Sequence, residues 1–476
     1  MLTALPRKHS DTMPRVSRRS FLAGSAALVA APALGAVPYA GEVDVVIVGA
    51  GAAGIAAARR IAAANRRFAL FEASGRIGGR CATDTKSFGV PFDLGAHWIH
   101  DPDSNPLIAL APKSGLDIYA APRAQTVRVG PRNARDAELE NFLASLVRAH
   151  RAIADTGRAN TDMPALRALP TDLGDWQATV EFILGPYAFG KELGNVSAMD
   201  LARAVEHARD LFCRQGYGAL LAKLAADLPV RLSDPVTRIA WDRGLEIETV
   251  KGRLRARAAI VTVSTNMLNA NKIDFSPALP KRQLDAAAKL SLGSFDHIAL
   301  EMPGNPLDLQ RDDLVFEQSN GTRTAALLAN VSGTDLHLVE VGGEFGRELA
   351  AKGEAAMVDF AGDWLASLFG SDAKSAIQRS HATRWNGQPW VRGAMSVAAP
   401  GHADARKVLM EPIAGRIWFA GEAAHETQWG TVTGAWESGA RAAEAALRHI
   451  GTLKRPIDNK PARRRRHRRR RRNGDK

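Results

Sequence analysis

The chain has 476 residues, enough for two or three domains, and its 46% hydrophobic and 24% charged residues are ordinary for a soluble globular protein. Its net charge of +13 comes from the two ends: the segment from Lys454 onward carries +11 and residues 1–40 carry +4. The body between them is at −2, so its charge asks for no nucleic acid or other polyanion. Two cysteines, Cys81 and Cys213, are too few for a disulfide framework and read as buried free thiols, with a single bridge as the alternative. The histidines form no HExxH-like cluster, so no metal is expected.

The first readable element, "SRRSFLAGSAALVAAPALGA" from Ser17, pairs two arginines with Phe-Leu and a short alanine-rich stretch. The stretch is too short to span a bilayer comfortably. The segment resembles a twin-arginine export signal, with Arg18, Arg19, Phe21 and Leu22 at the motif positions; the alternative is a basic N-terminus with chance arginines. The resemblance implies the twin-arginine export machinery as a partner and a periplasmic or secreted protein. Cleavage after Ala33, Ala36 or Ala40 fits equally well.

Next, "EVDVVIV" (Glu42–Val48) is continuous and β-branched, as a buried parallel strand should be. "GAGAAG" follows, then a small-residue helix over Ala52–Asn65, then the strand "FALF" (Phe68–Phe71) ending in Glu72. Strand, glycine turn, helix, strand and acid in this order predict a dinucleotide-binding unit. Gly49 permits the tight turn, Gly51 lets backbone approach a pyrophosphate, Gly54 permits close helix packing, and Glu72 accepts from ribose hydroxyls.

NAD and FAD share this unit. "EASGRIGGR" (Glu72–Arg80) adds a second glycine pair, Gly78 and Gly79, and a cation, Arg80, suited to phosphate. Here the chain resembles the flavin-containing amine oxidase family, which includes monoamine and polyamine oxidases. The resemblance implies FAD, with Ala53, Gly79 and Arg80 near it. Ser74 departs from the arginine often found there. "FDLGAHWIH" (Phe92–His100) is similar to the segment beside the flavin, which puts Gly95, Ala96, His97 and Trp98 at contact positions. "DPVTRIAW" resembles the strand whose valine, Val236, meets adenine through its backbone, and "AIVTVSTNMLNANKIDFSPALP" resembles the return to the FAD domain. Near the far end, "RIWFAGE" and "TVTGAWESGARAAEAALRHI" read as a short strand and a helix. They resemble the family's C-terminal FAD motif, which implies contacts at Gly421, Glu422, Thr431 and Val432.

The resemblance implies an enzyme that oxidises the C–N bond of an amine by hydride transfer to flavin, with O2 reduced to H2O2. Two residues are expected to act in catalysis. His297 stands where the family usually has a lysine holding a water near the flavin, and a packed strand histidine is the bland alternative. His100 stands where polyamine oxidases carry an acid or histidine that contacts the substrate amine. Met395 and Thr431 replace the family's paired tyrosines, and Trp429, Trp385 and Trp390 are candidate walls; Trp385 is counted with the cofactor contacts. No cysteine occupies "RGAMS" (Arg392–Ser396), so FAD is expected to be non-covalent. The histidine for lysine and the missing tyrosines keep a flavin dehydrogenase or desaturase open, and an amino-acid oxidase, which needs a pocket arginine for the carboxylate, is a nearer variant. A non-catalytic flavoprotein is a third.

The expected fold class is α/β: a Rossmann-like FAD domain from 41–105, 210–290 and 400–450, interleaved with a mixed sheet-plus-helix substrate domain from 106–209 and 291–399. Residues 1–40 are the signal region, and 451–476 a solvated tail. Nine arginines among residues 463–472 build no packed core. Contact of that tail with an anionic surface is its sharper reading.

Overall fold

A computed structural model of the chain describes residues 41–451, apart from 101–102, 112–114, 123–124, 160 and 206–208. The export-signal arginines, Asp101 and the arginine-rich tail lie outside the described residues.

The first strand, Glu42–Val48, is central to an eight-stranded sheet. It pairs in parallel with Phe68–Phe71 on one side and Gly252–Val261 on the other. Five of its seven residues are buried, which a parallel strand covered on both faces requires. Gly252–Val261 serves two partners along its ten residues. Its first half forms an antiparallel hairpin with Leu245–Thr249, and exposed and buried residues alternate there. Its last four residues, Ala258–Val261, are all buried, where the strand runs parallel to both Glu42–Val48 and Ile417–Phe419. Val236–Ala240, Asp274–Ser276 and Val230–Arg231 complete the sheet. All eight strands lie within residues 42–71, 230–276 and 417–419.

The helix after the glycine turn spans Ala52–Ala63 and ends with Asn65 in the left-handed conformation. It packs against the terminal helix Val432–His449 over one face of the sheet, in a core of Val45, Ile47, Ala57, Ile260 and Ala443. The contact needs small residues. A Cβ on Gly439 would lie 2.0 Å from the Ala53 carbonyl oxygen, and one on Gly54 would lie 1.8 Å from that of Gly49.

A second, seven-stranded sheet is built from Gln125–Val129, Arg132–Asn133, Phe295–Glu301, Leu314–Glu317, Ala326–Leu328, Leu336–Gly342 and Arg379–Ala382. Its strands fall in the segments expected for the substrate domain. Helices Gly343–Ala351 and Glu354–Phe369 cover one face, separated by Gly353 in a left-handed conformation that splits the apolar stretch in two. A small sheet of Ile99–His100, Asp210–Cys213 and Ile118–Ala120 joins the two sets of segments. Cys81 and Cys213 are buried and free. Among the described residues, no helix is long and apolar enough to cross a membrane.

Because the atom facing Gly439 is backbone, it cannot yield as a flexible side chain would. Gly439→Ala is expected to destabilise the protein by about 1–3 kcal/mol in urea unfolding and to lower flavin content on purification. Unchanged stability would show that the two helices are less tightly engaged than this.

Candidate active site

The two glycine-bearing helix starts open into one cavity of about 1250 Å³. Ordinary small-ligand pockets are about 300–1,000 Å³, so there is room for a dinucleotide and a second molecule.

On the N-terminal side, Gly51 caps the helix Ala52–Ala63 without a side-chain hydrogen bond, and no acid occupies its first turn. The N–H groups of that turn lack intrahelical partners and face the cavity with the positive end of the helix dipole. Around Gly51 a Cβ would meet nothing nearer than 3.9 Å, so the concavity is open. Glu72 is fixed beside it: Oε2 accepts from the Ala50 amide at 2.8 Å, and Oε1 from the Ser74 amide and hydroxyl at 2.8 and 2.7 Å. Ser74, the departure noted in the sequence, thus orients the acid. Gly49, Ala53, Gly79 and Val236 line the same cavity, whereas Gly54 does not reach it and serves helix packing.

Arg80 bonds the Ala394 carbonyl and, at 2.8 Å, Glu422 Oε1. Glu422 also accepts from the Ser396 hydroxyl at 2.6 Å and the Gly430 amide at 3.1 Å. Burial alone would raise the pKa of Glu422, but Arg80, Ser396 and Arg406 outweigh it and hold the carboxyl below its usual range. Arg406, fully buried, continues the chain. It donates to Ser396 Oγ at 3.1 Å and grips Asp200, with Nε to Oδ1 at 2.9 Å and Nη2 to Oδ2 at 2.8 Å. Its guanidinium lies 4.3 Å from the centre of the Trp429 ring, which also packs on Phe189 at 5.1 Å. Gly421, Thr431, Val432, Met395 and Trp429 line the cavity. Thr431 caps the terminal helix, accepting from the Gly434 amide at 2.9 Å.

Gly95, Ala96, His97 and Trp98 form another part of the wall. At Gly95 a Cβ would meet the Arg80 carbonyl oxygen at 2.2 Å and the Trp385 ring at 2.9 Å, so no side chain fits. The Trp385 indole donates to the Leu94 carbonyl at 2.7 Å and its amide to Asp296 at 2.8 Å. Asp93 is a hub that the sequence reading quoted but did not single out. Its carboxylate binds His97 Nδ1 at 2.9 Å and the Tyr217 amide at 3.0 Å, and its carbonyl faces His297 Nδ1 at 2.9 Å.

His297 and His100 both line the cavity. His100 Nδ1 is 2.6 Å from Asp210, the residue opposite it in the small sheet. His297 is buried, and its Nε2 is 3.3 Å from Glu340, again the cross-strand neighbour. Burial works against the charged ring, but Glu340 and the Asp93 carbonyl prevail and raise its pKa. Asp210, Glu340 and Arg406 were not found from sequence. The one signal for Glu340 was an acid inside the apolar run "LHLVEVG". Asp103, near His100, is paired with Arg209.

The chain's chemistry fits FAD: an open glycine turn, a fixed ribose-type acid, the cation Arg80, and a second helix start, all on the same cavity. A family model described as flavin containing amine oxidoreductase matches residues 52–447. The chain belongs to this family, and it is an FAD-dependent oxidoreductase. It is 28% identical to Polyamine oxidase 5 of Oryza sativa subsp. japonica, over 86% of this chain and 88% of that one. It is 27% identical to Lysine-specific histone demethylase 2 of Homo sapiens, over 84% of this chain and 53% of that one. Among solved structures, putrescine oxidase bound to putrescine superposes with a TM-score of 0.72 at 20% identity, over 86% of this chain and 99% of that one. Cyclohexylamine oxidase from Brevibacterium oxydans IH-35A does so at 0.71 and 23%, with the same coverage. Both structures attest the fold.

Asp296, behind His297, is fully buried and its carboxyl is pushed up to about 7, by burial first, against the Trp385 amide and the Thr383 hydroxyl. Unfolded, it titrates near 4. Between those values the folded state holds the extra proton, so stability falls as pH rises through this window. Asp296→Asn removes that term. From pH 5 to pH 8 the variant is expected to gain roughly 1 kcal/mol or more relative to wild type in denaturant unfolding; a difference independent of pH contradicts the assignment.

Proposed function

We propose that the protein oxidises di- or polyamine substrates in the cavity between its two sheets, with O2 as acceptor and H2O2 as product. FAD, when bound, supplies the chemistry: it takes a hydride from the carbon beside the amine nitrogen. The turn at Gly51 and the helix start behind it hold the pyrophosphate, aided by Arg80 and Gly79, and Glu72 holds the adenosine ribose. Gly421 and Glu422 serve the ribityl side. The backbones of Thr431 and Val432, with Gly95, Ala96, His97, Trp98 and Trp385, border the ring, and Val236 the adenine. Met395 and Trp429 wall the substrate, and His100, backed by Asp210, meets its amine. These roles rest on the family resemblance and on the placement of the residues around one cavity. Positioning and exclusion of water are the protein's main contribution. The cofactor is non-covalent: no cysteine lies in Arg392–Ser396, where some relatives attach the flavin. Cys81, which lines the cavity, is held as an inert thiol because burial pushes its pKa well up.

The single observation that carries this reading is that the helix starts at Ala52 and Val432, 380 residues apart, open into the same cavity. A second reading, a dehydrogenase with another electron acceptor, draws support from His297. It replaces the family's lysine, and both its ring nitrogens face protein oxygen atoms. Export by the twin-arginine route, to the periplasm or outside the cell, is part of the proposal and rests on Arg18, Arg19, Phe21 and Leu22.

Anaerobic addition of a panel of di- and polyamines to the purified yellow protein is expected to bleach its visible flavin band. Readmitted air should restore it with one H2O2 per amine oxidised. Bleaching without peroxide supports the dehydrogenase, and no bleaching by any amine contradicts both. Replacing Arg18 and Arg19 with lysine should hold the activity in the cytoplasm; activity exported as before would argue against the signal.

A further inference from the structure

His297 has no ring nitrogen to spare. Nδ1 lies 2.9 Å from the Asp93 carbonyl oxygen, which only accepts, so Nδ1 carries a hydrogen. Nε2 lies 3.3 Å from Glu340 Oε1. A ring lone pair against a carboxylate oxygen is repulsive, so a proton lies between them. The pair is either imidazolium with carboxylate or imidazole with carboxylic acid, and in both forms it is neutral. The strand register enforces the pairing, since His297 and Glu340 stand directly opposite in antiparallel strands.

The second oxygen is different. Glu340 is 1% exposed and lines the cavity, yet its Oε2 has no hydrogen-bond partner. Buried polar atoms are ordinarily paired, and an orphan on a cavity wall marks the place of a ligand donor. The two neighbouring aspartates are engaged elsewhere. Asp93 is engaged by His97 and the Tyr217 amide. Asp296 is engaged by Thr383 and the Trp385 amide. Tyr187, from the helical turn Ile183–Tyr187, sets its phenol against the Glu340 carboxyl and stays neutral, its pKa raised by burial first and then by the charge of Glu340 and by hydrogen bonding to that carboxyl.

We propose that Glu340 is a second amine-recognition residue of this cavity, in addition to His100: its cavity-facing oxygen receives an N–H of a substrate nitrogen, and His297 is the positioning residue that fixes its other oxygen. This rests on the amine-oxidation reading above. His297, expected to hold a water near the flavin, instead fixes the acid on the neighbouring strand. An oxygen aimed at N–H favours primary and secondary amines over tertiary amines, which have no N–H in the neutral form that reacts.

The test is binding to the FAD-loaded enzyme of tert-butylamine, which has N–H groups but no α C–H to lose, read as a perturbation of the flavin band. Glu340→Gln, whose amide NH2 turns to His297 and leaves only an uncharged oxygen toward the cavity, is expected to raise its Kd about tenfold, as replacing a charge-assisted hydrogen bond with a neutral one does. In 15N-histidine NMR, His297 should change from its proton-sharing state to a single tautomer protonated at Nδ1. Equal Kd values in the two proteins, or no binding to wild type, overturn the proposal. If Glu340→Gln fails to load FAD, Glu340→Asp, which keeps a carboxylate but draws it back from the cavity, carries the same expectation and the same contrary result. A wild type that binds tert-butylamine Glu340-dependently but oxidises no amine contradicts the function reading and leaves this inference standing.

Discussion

Two helix starts can face one cavity here because glycines remove the atoms that would hold the helices apart. Gly439 lets the terminal helix rest against the Ala53 carbonyl, and Gly54 lets the first helix rest against the turn at Gly49. Both approaches are closer than any Cβ allows. Once they are made, the partly unpaired amides of Ala52–Ala63 and of Val432–His449 are committed to one space, and a dinucleotide can be held from both sides. The rest of the site is arranged around that pairing.

The substrate-side elements are tied to it by a buried polar chain. Arg80, Glu422, Ser396, Arg406 and Asp200 alternate donor and acceptor. Asp200 lies on the short helix Ala198–Arg203, within the segments expected for the substrate domain, and Arg406 on the helix Ala405–Met410, within those expected for the FAD domain. A buried ion pair of this kind adds little net stability against a well-packed apolar pair, whereas losing one partner leaves an uncompensated charge. Its evident product is geometry. It fixes Glu422 as a carboxylate, places Arg80, and sets a cation behind the Trp429 ring.

Much of this was legible in the sequence, because local pattern encodes it. The β-branched run at Glu42–Val48, the glycine turn, the acid at Glu72 and the amphipathic terminal helix each follow from neighbours a few residues away. Of Gly252–Val261 only the end, from Ala259, was legible, and that by resemblance; its change of partner midway was not, since that depends on where Ile417–Phe419 arrives. The same limit explains the missed site residues. Glu340 faces His297, and Asp210 faces His100, only through strand register across 43 and 110 residues. Arg406 reads as one more surface arginine until Asp200 is brought against it. Pairings of this kind are written in tertiary contacts, which periodicity does not report.

The account reduces to the claim that the two helix starts jointly clasp one FAD. Calorimetric titration of flavin-stripped protein tests it most directly. The prediction is a single site per chain, FAD released intact by denaturant, and no displacement by NAD. A protein that takes up no FAD, or that takes NAD in its place, would contradict the account.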